Sequence, residues 1–277
     1  MLFRRLLLLV LLVAAGGLAW GYAVAVSDPV VRRADIALAG WPDGAPPIRA
    51  VLISDLHVAG PDMPPDRLSG IAARIAALEP DIVLIAGDLV SDRRLATRTY
   101  SLAETVAPLQ WLRPPLGTYA VLGNHDHWRD AAEARRALES VGITLLDNEA
   151  VRAGPLALGG LDDAFTAHAD PAGTVAGMRR LPGARVLLSH SPDPFPDLPG
   201  DVGLMLAGHT HCGQIRLPLI GAVSTMSRYG ERYACGMVSE RGKRLVVGAG
   251  LGTSIMPIRL GAPPDMWLLE LRSAARR

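Results

Sequence analysis

Five of the seven histidines fall in four short stretches: Asp55-Leu56-His57, Gly123-Asn124-His125-Asp126, Ser189-His190 and Gly208-His209-Thr210-His211. Each stretch follows an apolar run that reads as a buried strand: Val51 to Ile53, Tyr119 to Leu122, Val186 to Leu188 and Leu204 to Ala207. A fifth run, Ile82 to Ala86, ends in Gly87-Asp88. In an open α/β sheet, the groups just beyond the carboxyl ends of the strands converge on one crevice. These five strand ends would bring two carboxylates, an amide and several imidazoles together, which is the donor inventory of a cluster of divalent metals. Folding alone gives no reason for such an arrangement, because unpaired buried carboxylates are costly without a cation.

The spacing refines the chemistry. Asp55 and His57 stand two apart, so both can reach one ion at a strand-to-loop transition. His209 and His211 share that spacing and offer one imidazole to each of two neighbouring ions. Asp88 can bridge both. Gly87 and Gly123 permit tight turns that present the side chain that follows. Two ions about 4 Å apart hold a water between them, lower its pKa towards neutrality and stabilise both the attacking and the leaving oxygen of an in-line displacement at phosphorus. The expected reaction is phosphoester hydrolysis by attack of a metal-bridging hydroxide.

Taken in order, Asp55-Leu56-His57, Gly87-Asp88, Gly123-Asn124-His125-Asp126, His190 and Gly208-His209-Thr210-His211 resemble the motif series of the calcineurin-like metallophosphoesterases. The resemblance spans roughly residues 48–272. It implies that Asp55, His57, Asp88 and His211 hold one metal, and that Asp88, Asn124, His190 and His209 hold the other. It also implies that His125 is the general acid near the leaving group, a role that imidazole fills near neutral pH. The N-terminal segment, with Ser227-Arg228-Tyr229-Gly230 and Gly250-Leu251-Gly252-Thr253-Ser254, resembles the bacterial membrane-anchored branch of that superfamily. For that branch the resemblance implies a lipid-linked phosphodiester or pyrophosphate, such as UDP-2,3-diacylglucosamine in lipid A synthesis. Manganese, iron and zinc all suit the mixed Asp, Asn and His donors.

Other residues admit competing readings. Arg228 and Tyr229 are candidates to clamp a phosphate, for which a guanidinium is well shaped; equally, they can pin a loop. Asp126 reads as the orienter of a metal-bound imidazole, His127 as an outer or solvent-facing ring, and His168 as a structural histidine. Asp92 reads as an outer or turn residue, and Arg93 with Arg94 as a solvated turn. Cys212 and Cys235 form no C-x-x-C pair. They read first as small buried residues, then as a disulfide if the compartment is oxidising. Ligation by Cys212 comes last, because its neighbours are hard donors.

The elements that must carry these residues alternate strand and helix in the first half. Helices are expected from Asp66 to Leu78 (Leu68, Ile71, Ile75 and Leu78 at helical spacing), from Ser101 to Trp111 behind a Ser101/Glu104 capping box, from Arg129 to Val141 and around Ala172 to Arg180. Strands are expected at Thr144 to Leu146, Ala150 to Arg152, Leu156 to Leu158 and Arg185 to Leu188. Beyond His211 come Gly213 to Leu217, Arg232 to Val238, Leu245 to Val247 and Met266 to Leu271. The fold class is α/β, a four-layer α-β-β-α sandwich with an N-terminal transmembrane helix.

No charged residue occurs from Leu6 to Val26, a length that at about 1.5 Å per residue crosses a bilayer. We read residues 1–27 as a membrane anchor rather than a cleaved signal, 28–47 as a linker carrying an edge strand around Ala34 to Leu38, 48–272 as the catalytic domain and 273–277 as a tail. Arg4 and Arg5 before the span oppose Arg32 and Arg33 after it, so charge leaves open which side of the cell inner membrane the domain faces. Net charge is +1, so no overall field draws nucleic acid. The expected partners are the bilayer and a phosphoester substrate. A phosphomonoesterase or phosphoprotein phosphatase is the alternative activity, and a non-catalytic membrane scaffold the alternative class; a scaffold would be marked by a missing ligand or a replaced His125, and neither occurs.

Overall fold

The computed structural model describes residues 2–91 and 95–274. Asp92, Arg93, Arg94 and the end of the tail, residues 275–277, lie outside the described residues, so the readings made for them have no structural counterpart.

Helix α1 (Leu2–Ala25) is the apolar N-terminal segment. Twelve strands then build two six-stranded sheets. In chain order they are β1 (Val30–Leu38), β2 (Ile48–Ile53), β3 (Ile82–Ala86), β4 (Thr118–Val121), β5 (Thr144–Leu145), β6 (Glu149–Ala153), β7 (Leu156–Leu161), β8 (Ala184–Ser189), β9 (Leu204–Ala207), β10 (Gly236–Glu240), β11 (Lys243–Val247) and β12 (Asp265–Ser273). The first sheet runs β1-β12-β2-β3-β4-β5 and the second β10-β11-β9-β8-β7-β6. Strands β2 to β5 are parallel, as are β7, β8, β9 and β11. The segment 28–47 carries its edge strand over Val30–Leu38, paired in parallel with β12 along its whole length.

Alternation along each central strand divides its side chains between two cores. In β2, Ala50 and Leu52 join a core shared with Val186, Leu188, Leu204 and Leu206 of the second sheet. Val51 and Ile53 point the other way, to the helices α2 (Pro65–Ala77), α3 (Leu102–Val106) and α5 (Ala131–Ser140). On the far side, Leu187, Met205 and Leu245 pack with Val175 and Met178 of α6 (Pro171–Arg179). The layers are therefore α-β-β-α. Strands buried on both faces read as unbroken apolar runs, which is why the sequence displays these five so plainly.

Some elements depart from the sequence reading. The helix expected from Arg129 to Val141 is α5, begun at Ala131 where Asp130 turns extended and caps it by accepting from the Glu133 N–H, and an unexpected short helix α4 (Asn124–Arg129) precedes it. The Ser101 helix keeps its capping box but tightens to a 3-10 turn at Ala107–Trp111. Two expected strands shorten. Gly213 to Leu217 keeps a ladder at Arg216–Leu217 with isolated bridges at Ile215, and Arg232 to Val238 becomes a 3-10 turn at Gly230–Tyr233 followed by β10. The reason is local: Cys212, Gly213 and Gln214 all take left-handed φ, which no extended ladder accommodates.

Candidate metal centre

All five motifs follow strand ends at one pole: Asp55 and His57 after β2, Asp88 after β3, Asn124 after β4, His190 after β8, and His209 with His211 after β9. The first sheet supplies both carboxylates and the amide, and the second supplies three imidazoles. Asp55, His57 and His211 form one group of facing donor atoms, and Asp88, His190 and His209 another. Between them, a single Asp88 oxygen lies 3.5 Å from His57 Nε2 and 3.2 Å from His190 Nε2. His57 Nε2 stands 3.1 Å from His211 Nε2, which is 3.5 Å from Asp55. On the other side His190 Nε2 is 3.2 Å from Asn124 Oδ1 and 3.1 Å from His209 Nδ1. Donors about 2.1 Å from a common ion and at right angles to one another sit about 3.0 Å apart, so both groups have the spacing of a coordination shell.

The hydrogen bonds behind the rings decide what those nitrogens carry. His57 Nδ1 donates to the Val90 carbonyl (3.1 Å), His190 Nδ1 to that of Ala86 (2.8 Å), and His209 Nε2 to that of Met226 (3.1 Å). A carbonyl only accepts, so each ring places a proton outward and leaves its inward nitrogen as the one able to ligate. Burial lowers His57 to about 3 and His209 to about 4, and takes His211 well below the usual imidazole range. Burial also pushes Asp55 up to about 6. His190 differs: burial opposes its charge, but Asp88 overrides this and raises it to about 10, while His190 in turn holds Asp88 well below its ordinary value against burial. The neutral His57 and His211 rings facing one another 3.1 Å apart, and a His190 nitrogen set against Asp88 and 3.1 Å from His209, fit a cation in each group. The donor set therefore suits two divalent ions that share Asp88.

Backbone strain accompanies this geometry. Asp55, His57, Asp88, His209 and His211 all have φ between 42° and 71°, a region costing non-glycine residues about 1–3 kcal/mol each. Gly87 lies at φ 77°, where an added Cβ would come within 2.7 Å of the Gly123 nitrogen and 2.9 Å of His190 Nδ1. At Gly123 a Cβ would run into the Asp88 carboxylate. Both glycines are thus required by close approach, and Gly87 by its left-handed φ as well.

The remaining candidates are distributed around this centre. The His125 N–H donates to the second Asp88 oxygen (2.9 Å), and its ring stands edge-on to His57 at 4.7 Å, half-buried at the mouth. Asp126 does not orient an imidazole directly. Its buried carboxylate accepts from the N–H groups of Leu89, Val90 and Gly123 (2.9, 3.3 and 3.0 Å), clamping the loop whose Val90 carbonyl holds His57. His127 bonds Asp162 at 2.7 Å and stacks on His168 at 4.0 Å, apart from the ligands. Arg228 is exposed and contacts Asp193 and Asp197, with Tyr229 beneath its guanidinium; the contacts of the pair are with the 193–197 loop rather than with the ligands. Cys212 and Cys235 form a disulfide, which corrects the first reading of them as separate buried residues and removes Cys212 as a ligand.

Several participants had no sequence signal. Any residue offers a carbonyl, so the parts of Ala86, Val90 and Met226 are invisible in side-chain patterns. Phe165, exposed at the mouth against His209 (4.8 Å), arrives from a loop distant in sequence, and Trp128 stands against His125 (4.9 Å) one turn along α4. Arg259 is fully buried and donates to the carbonyls of Ala249, Gly250, Gly252 and Ala262, lashing the 249–262 loop beneath Asp55. A lone arginine in the apolar run Met256 to Leu260 was the only available hint.

The calcineurin-like phosphoesterase family model matches residues 48–213, which hold every one of these donors. The chain belongs to that family. The phosphoesterase is 30% identical to the metallophosphoesterase YkuE of Bacillus subtilis, over 95% of this chain and 92% of that one. It is 33% identical to phosphodiesterase YaeI of Escherichia coli, over 84% and 86%. A transmembrane protein with metallophosphoesterase domain from Danio rerio is 29% identical over 98% of this chain and 63% of its own length. Among solved structures, a 5'-nucleotidase precursor from Thermus thermophilus aligns with a TM-score of 0.47 and 14% identity, over 81% of this chain and 55% of that one. The phosphoesterase is a metal-dependent hydrolase of phosphoric esters, with Asp and His clusters able to hold two divalent ions.

Proposed function

We propose that the chain is a membrane-anchored phosphodiesterase or pyrophosphatase whose substrate is presented at a bilayer surface. The observation that carries the chemistry is the single Asp88 oxygen set between His57 and His190. In this reading Asp55, His57, Asp88 and His211 hold one ion, and Asp88, Asn124, His190 and His209 the other. When bound, the two ions supply Lewis acidity at phosphorus and a water acidic enough to attack. The chain's own part is to fix the donors: backbone carbonyls behind the rings hold lone pairs inward, and Asp126 holds the loop that carries one of those carbonyls. His125, at the mouth, gives its proton to the leaving oxygen.

Two observations support a diester over a monoester. Arg259 is buried and spent on backbone carbonyls, so its guanidinium is not left for a dianion, and the exposed Arg228 faces Asp193 and Asp197. The mouth is instead rimmed by Trp128 and Phe165. Helix α1 supports the anchor, being long and apolar enough to cross a membrane. The disulfide supports the oxidising side of that membrane, where an envelope phospholipid or exported phosphodiester is reachable. UDP-2,3-diacylglucosamine and a role in lipid A synthesis require the cytoplasmic side, and the disulfide counts against them.

The test is turnover of bis-p-nitrophenyl phosphate by the full chain supplied with manganese, iron or zinc. Metal-dependent hydrolysis faster than that of p-nitrophenyl phosphate, lost in Asp88→Ala, is the expected result. No turnover by fully metallated protein contradicts the reading, and a faster monoester rate replaces diester by monoester. Reporter fusions at the carboxyl end, read on both sides of the membrane, decide the side independently.

A further inference from the structure

Helix α1 leaves the domain at the pole that carries the metal centre. Its last turn is docked: the Gly21 carbonyl accepts from the Arg259 N–H (2.9 Å), and the Tyr22 hydroxyl donates to the Pro61 carbonyl (3.3 Å). At Gly21 an added Cβ would stand 3.1 Å from Ile258, so helix and loop are in close contact. Both partners lie beyond strand ends, Pro61 after β2 and Arg259 after β11. The bilayer entered by α1 is therefore on the side of the metals.

Two loops at this joint behave as one unit. The Gln214 side chain donates to the carbonyls of Met256 and Ile258 (3.0 and 3.1 Å), and the Arg216 N–H to that of Leu260 (2.8 Å). On this unit stand exposed apolar residues, among them Leu219, Ile220, Val223, Met226, Ile255 and Met256. Ile220 and Ile255 are 72% and 74% exposed. Single exposed apolar residues are ordinary, but such a group on two tied loops marks an interaction surface. What covers it is indicated by its neighbour, a span of which only 6% is buried within the protein.

We infer that residues 217–226 and 255–256 form a second membrane contact, entering the interfacial zone of the bilayer beside α1 and holding the mouth of the metal centre against the headgroups. Exposed apolar side chains take up that position readily. The contact reaches the chemistry, because the Met226 carbonyl in the same loop fixes His209. The inference rests on the reading of α1 as a membrane span and deepens the proposed substrate class to phosphodiesters at headgroup depth.

The test uses the full chain in phosphatidylethanolamine/phosphatidylglycerol nanodiscs, with one added cysteine carrying a fluorophore and nitroxide-labelled lipids as quenchers. Variants are Ile220→Cys on the loop, Ala14→Cys within α1, and Ser140→Cys just before β5, at the opposite pole. Turnover of bis-p-nitrophenyl phosphate confirms that each is folded, and Ile255→Cys repeats the loop measurement. The expected result is at least twofold quenching at Ile220→Cys by a nitroxide near the headgroup, quenching at Ala14→Cys by a deep nitroxide, and none at Ser140→Cys. Quenching at Ala14→Cys alone overturns the inference and leaves the anchor. No quenching at either position overturns the anchor and the inference with it. Equal quenching at Ile220→Cys and Ser140→Cys shows adsorption without orientation and also overturns the inference.

Discussion

Two groups of histidines lie close together in this chain and differ in what stands behind each ring. His57, His190 and His209 back onto main-chain carbonyls and turn their other nitrogens into the two donor groups. His127 backs onto the carboxylate of Asp162 and stacks on His168. The hydrogen bond to Asp162, opposed in part by burial, raises His127 above its ordinary value. A carbonyl behind an imidazole leaves its inner nitrogen for a cation, whereas a lone carboxylate behind it makes an ion pair. Proximity of histidines therefore does not make a metal site; the partner on the far nitrogen does.

Substitutions can break this comparison. The largest expected effect is at Asp88, the carboxylate shared by both sets of donors. Asp88→Ala should lower kcat/KM on bis-p-nitrophenyl phosphate by at least roughly 10³-fold, about 4 kcal/mol of transition-state stabilisation, with fewer than two ions retained. Retention of both ions by that variant would show that the bridge is elsewhere. His125→Gln should lower kcat by about 10²-fold or more while both ions stay bound, the signature of a lost general acid. Loss of metal in that variant would instead make His125 a ligand.

Asp126→Ala sharpens the contrast, since this residue touches no ligand ring and acts through the loop of Val90. A fall of about 10- to 100-fold in metal affinity or activity is expected, recoverable in part by raising metal concentration. Excess metal also supplies a stability readout, because binding to the folded chain alone stabilises it by about 2.7 kcal/mol at a hundredfold excess over Kd. The melting temperature should rise with added manganese in the parent and not in Asp88→Ala.

The smallest effect lies at the other histidine group. Asp162→Asn, apart from the ligands, should change turnover less than about twofold, and its consequence should appear in stability against pH. His127 is raised from 6.5 and Asp162 is lowered from 3.8. The His127 contribution is complete below pH 6.5 and fades as pH rises through the folded value; that of Asp162 is complete above pH 3.8 and fades on acidification. The gap in melting temperature between parent and variant should therefore be widest between these values and narrow as pH rises through the folded value of His127. A constant gap from about pH 5 to about pH 9 would show that the pair carries no titrating charge.

The metal centre was legible to the extent that it is written in side chains. Val51 to Ile53 and Ile82 to Ala86 are buried on both faces, so they show as apolar runs, and the ligands follow directly where those runs stop. What was not legible is the orientation of those ligands, which depends on left-handed φ at five of them and on carbonyls any residue provides. Asp126 shows the limit: its type and place suggested an imidazole partner, but three nearby N–H groups of the backbone claim its oxygens. The cysteines show another. Cys212 and Cys235 are 23 residues apart, and spacing alone does not reveal a pairing brought about by the 3-10 turn at Gly230–Tyr233. Gly213 to Ile215 and Arg232 to Ala234 read as strands from composition, yet the left-handed run beside Cys212 and that turn make them loop.

Anomalous diffraction from crystals of the chain grown with manganese tests the central claim most directly. The account predicts two peaks per chain, one among Asp55, His57, Asp88 and His211 and the other among Asp88, Asn124, His190 and His209, with a single Asp88 oxygen between them. A lone peak, or none under saturating metal with the His57 and His190 rings turned aside, would contradict it.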